Sequence, residues 1–287
     1  MAYVLECDMD EWASWLLGRR DGGDAGVRAS FAPALAGFRD GVLDRARIGA
    51  GDTVLDVGTG TGLIGLGALE RVGADGRVIF CDVSADLLES CRRATGDDKR
   101  CGFVRAAADA LSPVHDGSAD VVTTRSVLIY VEDKPAAFAE FLRVLRPGGR
   151  LSIFEPVNGF GTPGLFGLDF GPVAELAARV VAVYPRIEAM MGFDERDLLR
   201  WVREAGFTGV TMDYRAEADV EGPPIADWPA LKRTAPNPLA PTYAEAIEAA
   251  LTAGESAQLD AYLEKAVAEA TPTRRTAATV FLAAVRP

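Results

Sequence analysis

The chain has 287 residues, of which 49% are hydrophobic and 25% are charged, and its formal net charge at pH 7 is −12. These proportions are ordinary for a globular protein, and the length suffices for one large domain with a sizeable insertion. The negative charge argues against a nucleic-acid partner, because such binding depends on Lys and Arg side chains that neutralise phosphates.

No leader, membrane span or metal site is expected. The first residues include neither a basic segment nor a long apolar core, and no apolar run reaches the roughly 18 residues that a span needs. The four cysteines, Cys7, Cys81, Cys91 and Cys101, show no C-x-x-C spacing and have no histidine partners. We therefore expect reduced thiols, as in a cytoplasmic protein.

Residues 1–50 are predicted to form a helical segment that precedes the main domain. One amphipathic pattern contains Trp12 and Trp15, and a longer one covers residues 31–46. These helices either pack on the main domain or form a lid over a ligand, with Tyr3, Trp12 and Trp15 as aromatic contacts.

The main domain is predicted to begin with a buried strand and a glycine-rich turn. The strand covers residues 53–57 and includes Asp56; Gly58, Gly60 and Gly62 follow, and a helical pattern starts immediately. This arrangement is typical of a nucleotide site, because glycines let the backbone approach a ligand and a helix N-terminus offers unpaired N–H groups. Asp56 would repel a pyrophosphate and favours a ligand with an ammonium group and hydroxyls.

A dinucleotide site is the alternative for the same turn. Gly60, Gly62 and Gly65 match the dinucleotide fingerprint, and Asp82 follows at the expected distance. In that fingerprint, however, the first glycine would lie too far beyond the strand, because the apolar run ends at Val57.

The next two strands also end near acidic residues. Residues 77–82 form the second predicted strand, and its terminal Asp82 can accept two hydrogen bonds from vicinal ribose hydroxyls. Val83 would pack on an adenine face. A short third strand at 102–106 leads to Asp109.

Strands four to seven complete the predicted sheet. Strand four covers residues 120–124 and precedes Arg125 and Ser126, and a helix then ends at the Arg-Pro-Gly-Gly turn 146–149. A glycine- and phenylalanine-rich loop follows strand five, at the sheet edge where open α/β folds bind ligands. The remaining segments are strand five at 150–156, strand six at 207–215, a helical insertion at 216–275 and strand seven at 276–285.

Residues 50–215 and the last strand resemble the class I S-adenosylmethionine-dependent methyltransferases. The matching features are the acid-x-Gly-x-Gly-x-Gly turn, Asp82, Asp109, the Asp-Gly-Ser loop at 116–118 and the Arg-Pro-Gly-Gly turn, in the family's order. The resemblance implies a doubly wound α/β fold, Rossmann-like, with a mostly parallel seven-stranded sheet and an antiparallel last strand. Residues 51–287 would form this domain, and the N-terminal helices and the insertion would be additions.

The resemblance implies S-adenosylmethionine as the cofactor. Asp56 and the glycine turn would hold its methionine end, Asp82 its ribose and Asp109 its adenine amine. The expected cofactor-binding residues are Asp56, Gly58, Thr59, Gly60, Gly62, Asp82, Val83, Asp109, Ala110, Arg125 and Ser126.

The implied reaction is methyl transfer to O, N or C of a small-molecule acceptor by in-line displacement, which requires mainly positioning and a water-poor pocket. The Asn/Asp-Pro-Pro-aromatic motif of enzymes that methylate DNA bases or glutamine is absent after strand four. The expected pocket residues are Tyr3, Trp15, Tyr130, Glu155, Phe160, Tyr184 and Met190. No base is compulsory, and the candidates for one are Glu155, His115 and Tyr130.

Other interpretations stay open at this point. One is an NAD(P)-dependent oxidoreductase, and another is a protein that binds S-adenosylmethionine without transferring methyl groups. The insertion at 216–275 would build either a substrate cap or the interface of a homodimer. The Ala, Arg and Gly bias fits bacterial small-molecule metabolism.

Overall fold

A computed structural model describes residues 9–161, 167–222 and 227–287. Tyr3, predicted as a pocket residue, lies outside these ranges. None of the helices in the described ranges combines the length and the apolar character that crossing a membrane requires.

A mixed sheet forms the centre of the molecule. Its strands are β1 (Thr53–Val57), β2 (Arg77–Asp82), β3 (Cys101–Arg105), β4 (Ala119–Arg125), β5 (Leu145–Pro156), β6 (Thr208–Gly222) and β7 (Thr273–Val285). Over the described residues the sheet has seven strands in the order β3-β2-β1-β4-β5-β7-β6. Strands β1 to β5 pair in parallel, and β7 is antiparallel to both β5 and β6. The predicted sheet with a reversed last strand is confirmed.

Helices connect the strands and cover both faces of the sheet. The α-helices of the described residues are α1 (Glu11–Ser14), α2 (Ala25–Ala46), α3 (Leu63–Leu69), α4 (Ala85–Thr95), α5 (Lys134–Val144), α6 (Ala174–Val181), α7 (Glu188–Met191), α8 (Glu195–Glu204), α9 (Trp228–Leu231), α10 (Tyr243–Ala250) and α11 (Ala253–Ala268). A π-helical turn, Trp15–Arg19, follows α1 directly.

Strand β1 is buried on both faces, as parallel strands in α/β proteins are. Successive side chains point to opposite faces, so Val54 joins one hydrophobic cluster and Leu55 the other. The first cluster includes residues of α2, α3 and α4, and the second includes residues of α5 and α8. The sheet is therefore doubly wound, and α2 packs on it.

A third hydrophobic cluster lies apart from the sheet. It joins α6, Trp228, α10 and α11, and its buried members include Val180, Leu259 and Leu263. We call residues 168–184 and 227–272 the cap. The cap thus has its own apolar core, built largely from the predicted insertion.

The last two strands are longer than predicted. Backbone pairing continues from Ala216↔Ala278 to Gly222↔Thr273, because an antiparallel ladder needs no apolar pattern to satisfy its backbone groups. The connecting segment therefore lies between Gly222 and Thr273, rather than at 216–275. Strand β5 also begins earlier, at Leu145, with an irregular register before Arg150.

Candidate cofactor and acceptor site

The turn after β1 takes a conformation that suits glycine. Gly58 and Gly60 have φ angles of +65° and +57°, values that side chains with a Cβ rarely adopt. A Cβ on Gly58 would lie 2.2 Å from Val127 Cγ2. The turn therefore abuts the segment after β4, and the two loops form one edge of the site.

The buried side chain of Asp56 holds this turn in place through hydrogen bonds. Its side chain is 1% exposed, and it accepts hydrogen bonds from Thr59 Oγ1 at 2.6 Å, Gly65 N at 2.9 Å and Thr123 Oγ1 at 2.8 Å. Burial raises the pKa of Asp56 to about 6, although these donors favour its charged form. Its carboxylate oxygens are thus engaged with the protein itself.

Asp82 lies at the end of the neighbouring strand β2, next to the same turn. Its oxygens accept hydrogen bonds from Gly60 N at 2.8 Å and Ser84 N at 3.0 Å. Burial raises the pKa of this carboxyl. The apolar side chain of Val83, beside it, is 39% exposed, so an acid and an apolar surface face the same space.

A cavity of about 1250 Å³ opens at this edge of the sheet. Pockets that hold one drug-sized ligand typically measure about 300–1,000 Å³, so this cavity has room for a nucleoside cofactor and a second molecule. The predicted residues on its wall are Asp56, Gly58, Thr59, Gly60, Asp82, Val83, Asp109, Arg125, Ser126, Trp15, Tyr130 and Met190.

The N-terminal segment covers the glycine turn. Leu16 Cδ1 lies 3.2 Å from the position that a Cβ on Gly60 would take. Asp10 accepts a hydrogen bond from Ser84 Oγ at 2.7 Å, which ties α1 to the end of β2. These contacts hold residues 10 and 16 against the edge of the sheet, and the lid interpretation of residues 1–50 stays a prediction.

The same segment is also bonded to the cap. Trp15 Nε1 donates to the Ala235 carbonyl at 2.9 Å, and Ala235 N donates to the Arg19 carbonyl at 2.7 Å. Trp12 packs edge-on against Tyr130, with ring centroids 5.0 Å apart. Segments far apart in the chain thus close one side of the cavity.

Of the three candidate bases, Tyr130 alone lines the cavity. His115 is exposed on a loop, and its carbonyl accepts a hydrogen bond from Ser118. Glu155 is fully buried, and burial raises its pKa to about 7. Its oxygens accept the backbone N–H groups of Val127, Leu128 and Ile129, at 2.8, 2.9 and 3.4 Å. Glu155, predicted as a pocket residue and a candidate base, thus lies off the cavity wall and supports a turn, and His115, another candidate base, faces solvent away from the cavity.

Further predicted residues lie off the cavity wall. Gly62 begins α3 behind the turn, and Ala110 is exposed in a short bridge with Ala107. Phe160 is 39% exposed outside the wall. The ring of Tyr184 packs on Tyr243 at 5.9 Å between centroids, and Tyr243 is the ring that lines the cavity.

Much of the wall carries no sequence motif. Its unpredicted members come from the N-terminal segment, α2 and the cap, and most of them are apolar. They include Leu16, Arg20, Phe31, Leu35, Phe38, Leu231, Pro236 and Tyr243. Only tertiary folding brings these segments together, so spacing along the chain does not mark them.

Comparisons with known proteins agree with this geometry. A family model described as a methyltransferase domain matches residues 55–153. A demethylmenaquinone methyltransferase of Clavibacter sepedonicus is 35% identical over 173 residues, which cover 56% of this chain and 67% of that protein. A ubiquinone/menaquinone biosynthesis C-methyltransferase of Hahella chejuensis is 39% identical over 116 residues, or 39% of this chain and 46% of the relative. The chain thus spans about half the length of that relative.

A solved structure shows the same fold. Geranyl diphosphate C-methyltransferase of Streptomyces coelicolor, crystallised with S-adenosyl-L-homocysteine, superimposes with a TM-score of 0.50 at 18% identity, covering 88% of this chain and 76% of that one. At this identity the likeness shows the fold alone. The sheet order, the glycine turn with its strand-end acids and the Clavibacter relative agree, and the chain belongs to the class I S-adenosylmethionine-dependent methyltransferases.

Proposed function

We propose that this protein transfers a methyl group from S-adenosylmethionine to a small, largely apolar acceptor. The observation that carries the proposal is that the glycine turn, Asp82 and an extensive apolar wall face one cavity of about 1250 Å³. Cofactor and acceptor would therefore meet in a single cavity, as in-line displacement requires.

The residues present fit this cofactor. Asp82 offers a carboxylate at the cavity edge for the ribose hydroxyls, and Val83 beside it offers an apolar surface for the adenine. Asp109 lies on the same wall and would accept a hydrogen bond from the adenine amine. When bound, S-adenosylmethionine supplies an electrophilic methyl group.

The acceptor side is built from aromatic and aliphatic groups. Trp12, Phe31, Phe38, Met190 and Leu231 line the cavity, and apolar pocket walls with a few polar groups are typical of small-molecule sites. The relatives include methyltransferases whose names refer to ubiquinone and menaquinone, which are apolar molecules. These names support an apolar acceptor for this protein too.

Of the three predicted base candidates, Tyr130 is the one on the described cavity wall. Burial raises the pKa of its phenol, so it is protonated at neutral pH and serves as a hydrogen-bond donor. The chain's contribution would be to position the acceptor and to exclude water. This favours an acceptor atom that is nucleophilic without the help of a protein base.

Calorimetric binding tests the cofactor assignment. We would titrate S-adenosylmethionine, S-adenosylhomocysteine and NADH into the parent, Asp82→Ala and Asp75→Ala. Hydrogen bonds to a charged group contribute about 1.5–3 kcal/mol, so Asp82→Ala should weaken both adenosyl ligands by about 10- to 100-fold. Asp75 is exposed, and its variant should bind like the parent.

The outcomes separate the alternatives. NADH binding without adenosyl binding would overturn the proposal in favour of an oxidoreductase. Binding of the adenosyl ligands without methyl transfer to any acceptor in a panel of quinones, phenols and amines would favour a role other than methylation.

We also propose a cytoplasmic location. Cys81, Cys91 and Cys101 are free thiols, and secreted proteins usually pair their cysteines. A homodimer stays a prediction, and light scattering of the purified chain would test it.

A further inference from the structure

We propose that the acceptor carries one anionic group, a carboxylate or a phosphate, which Arg20 and Arg125 bind inside the cavity. The inference rests on the proposed function and adds a substrate class to it. The acceptor would then be amphipathic, with an apolar body along the aromatic wall and a charged end held at a fixed place.

The two arginines reach the cavity from unrelated elements. Arg125 is the last residue of β4, and Arg20 directly follows the π-helical turn of the N-terminal segment. Both line the cavity wall. Their separation along the chain means that the fold, and not a local motif, assembles this pair.

Neither guanidinium has an acidic partner in the part of the chain that the structure describes. Arg125 makes one long hydrogen bond, 3.5 Å from Nη1 to Ser126 Oγ. Other partly buried arginines are held by acids or by carbonyls: Arg150 pairs with Asp52 at 2.5 Å, Arg143 pairs with Glu140 at 2.7 Å, and Arg286 donates to the Leu142 carbonyl at 2.9 Å. The pair in the cavity has neither kind of partner in the described residues.

The acids whose charges act on the two arginines are engaged elsewhere. Asp21, next to Arg20 in sequence, pairs with Arg28 at 2.6 Å. Glu155 and Asp56 influence Arg125 through their charge, but their oxygens accept the backbone and hydroxyl hydrogen bonds described above. Asp24 also lines the wall, and it caps α2 by accepting from Gly26 N at 2.8 Å.

Two unpaired cations in a confined space are costly. Burying a charge without a partner is unfavourable, and burial lowers the pKa of both arginines, with the charge of Arg20 further lowering that of Arg125. An anion between them would remove this cost. Planar guanidinium groups match the geometry of carboxylates and phosphates, which they bind through two parallel hydrogen bonds.

The position of Arg125 connects this anion site to the cofactor site. Val127, two residues after it, lies against Gly58 of the glycine turn. Ser126 holds a φ of +55°, and its N–H donates to the Phe154 carbonyl at 2.8 Å. An anion bound here would anchor the acceptor within the same cavity edge as the transferred group.

Binding of matched probes tests the proposal. We would compare 2-naphthoate, 2-naphthyl phosphate and the neutral 2-naphthamide by quenching of Trp12 and Trp15 fluorescence, with and without saturating S-adenosylhomocysteine. Whichever anion binds the parent more tightly should bind at least tenfold more tightly than the amide. That probe also tells whether the site takes a carboxylate or a phosphate. Arg20→Gln and Arg125→Gln should each lose that tenfold preference while binding of the amide changes less than threefold.

Controls separate this site from general charge and from the cofactor site. Arg93 is exposed on α4, and Arg93→Gln should keep the parent's preference. The affinity for S-adenosylhomocysteine, measured by calorimetry, should change less than threefold in Arg20→Gln.

Three results would overturn the proposal. The amide could bind as tightly as both anions, or Arg93→Gln could lose the preference equally. Arg20→Gln could instead lose S-adenosylhomocysteine affinity, which would assign Arg20 to the cofactor's own carboxylate. The probes are also measured without the cofactor, so the two proposals can fail separately. A parent that prefers anions but does not bind S-adenosylhomocysteine would contradict the proposed methyl transfer and would still support the anion site.

Discussion

Glu155 shows how a single residue supports the site without lining it. Its carboxylate lies below the segment after β4 and accepts three backbone N–H groups there. That segment leads from Arg125 to Tyr130, both on the cavity wall. The sequence showed only an acid near the end of a strand, a place where a base and a structural support look the same.

We expect the free energy of unfolding to depend on the ionisation of Glu155. Burial raises its pKa from 4.5 to about 7 in the folded chain, so the folded state binds the proton more tightly than the unfolded state. The associated stability is complete below about pH 4.5 and is lost as the pH rises through about 7. A shift of this size corresponds to about 3 kcal/mol.

Glu155→Gln tests this by removing the titration. Between pH 5 and pH 8 the melting temperature of the parent should fall by roughly 5 °C more than that of the variant. Glu248→Gln, an exposed substitution on α10, should keep the parent's slope. Equal slopes for Glu155→Gln and the parent would contradict the assigned role.

At the scale of elements, motifs predicted the part of the site at the sheet edge, which we call the sheet half. The cover, which consists of the N-terminal segment and the cap, was predicted only as one of two alternatives: a lid or packing helices for residues 1–50, and a substrate cap or a dimer interface for the insertion. The glycine turn and the strand-end acids are local features, and β1 and β2 lie within a residue of their predicted ends. The cover depends on contacts such as Leu16 on Gly60 and Trp15 on Ala235. Such contacts join segments without a shared pattern, so they became visible only in the structure.

Asp10 connects the cover to the sheet half. It caps α1 by accepting from Ala13 N at 2.9 Å, and it also accepts from Ser84 Oγ. Loss of an N-cap costs about 1 kcal/mol, so Asp10→Ala should speed amide hydrogen exchange over residues 11–20 by about fivefold to tenfold. S-adenosylhomocysteine should also bind the variant more weakly.

A matched cap elsewhere provides the control. Asp133 caps α5 by accepting from Ala136 N at 2.9 Å, and Asp133→Ala should leave exchange over residues 11–20 unchanged. If both variants speed exchange in that segment alike, Asp10 has no particular role in holding the cover.

At the scale of the whole molecule, the cap has a core separate from that of the sheet. Leu259 is fully buried in the cap core, and Leu→Ala changes in cores cost about 2–5 kcal/mol. Leu259→Ala should therefore speed hydrogen exchange in α10 and α11 while β1 and β4 keep their protection. Leu151→Ala, fully buried in β5, should speed exchange in the sheet as well. Identical patterns for the two variants would show that cap and sheet unfold together.

The cover and the sheet half of the site come from different parts of the chain, and this affects how the acceptor preference of the protein can change. The residues that match the general methyltransferase domain, 55–153, contain the glycine turn and the strand-end acids. The aromatic wall comes mainly from residues 12–38 and 227–243, outside that match. Under the proposed function, substitutions in these flanking segments would alter which acceptor binds, while the glycine turn and the strand-end acids keep their sequence. The two segments are bonded to each other, so they would have to be exchanged together to redirect the enzyme to new acceptors.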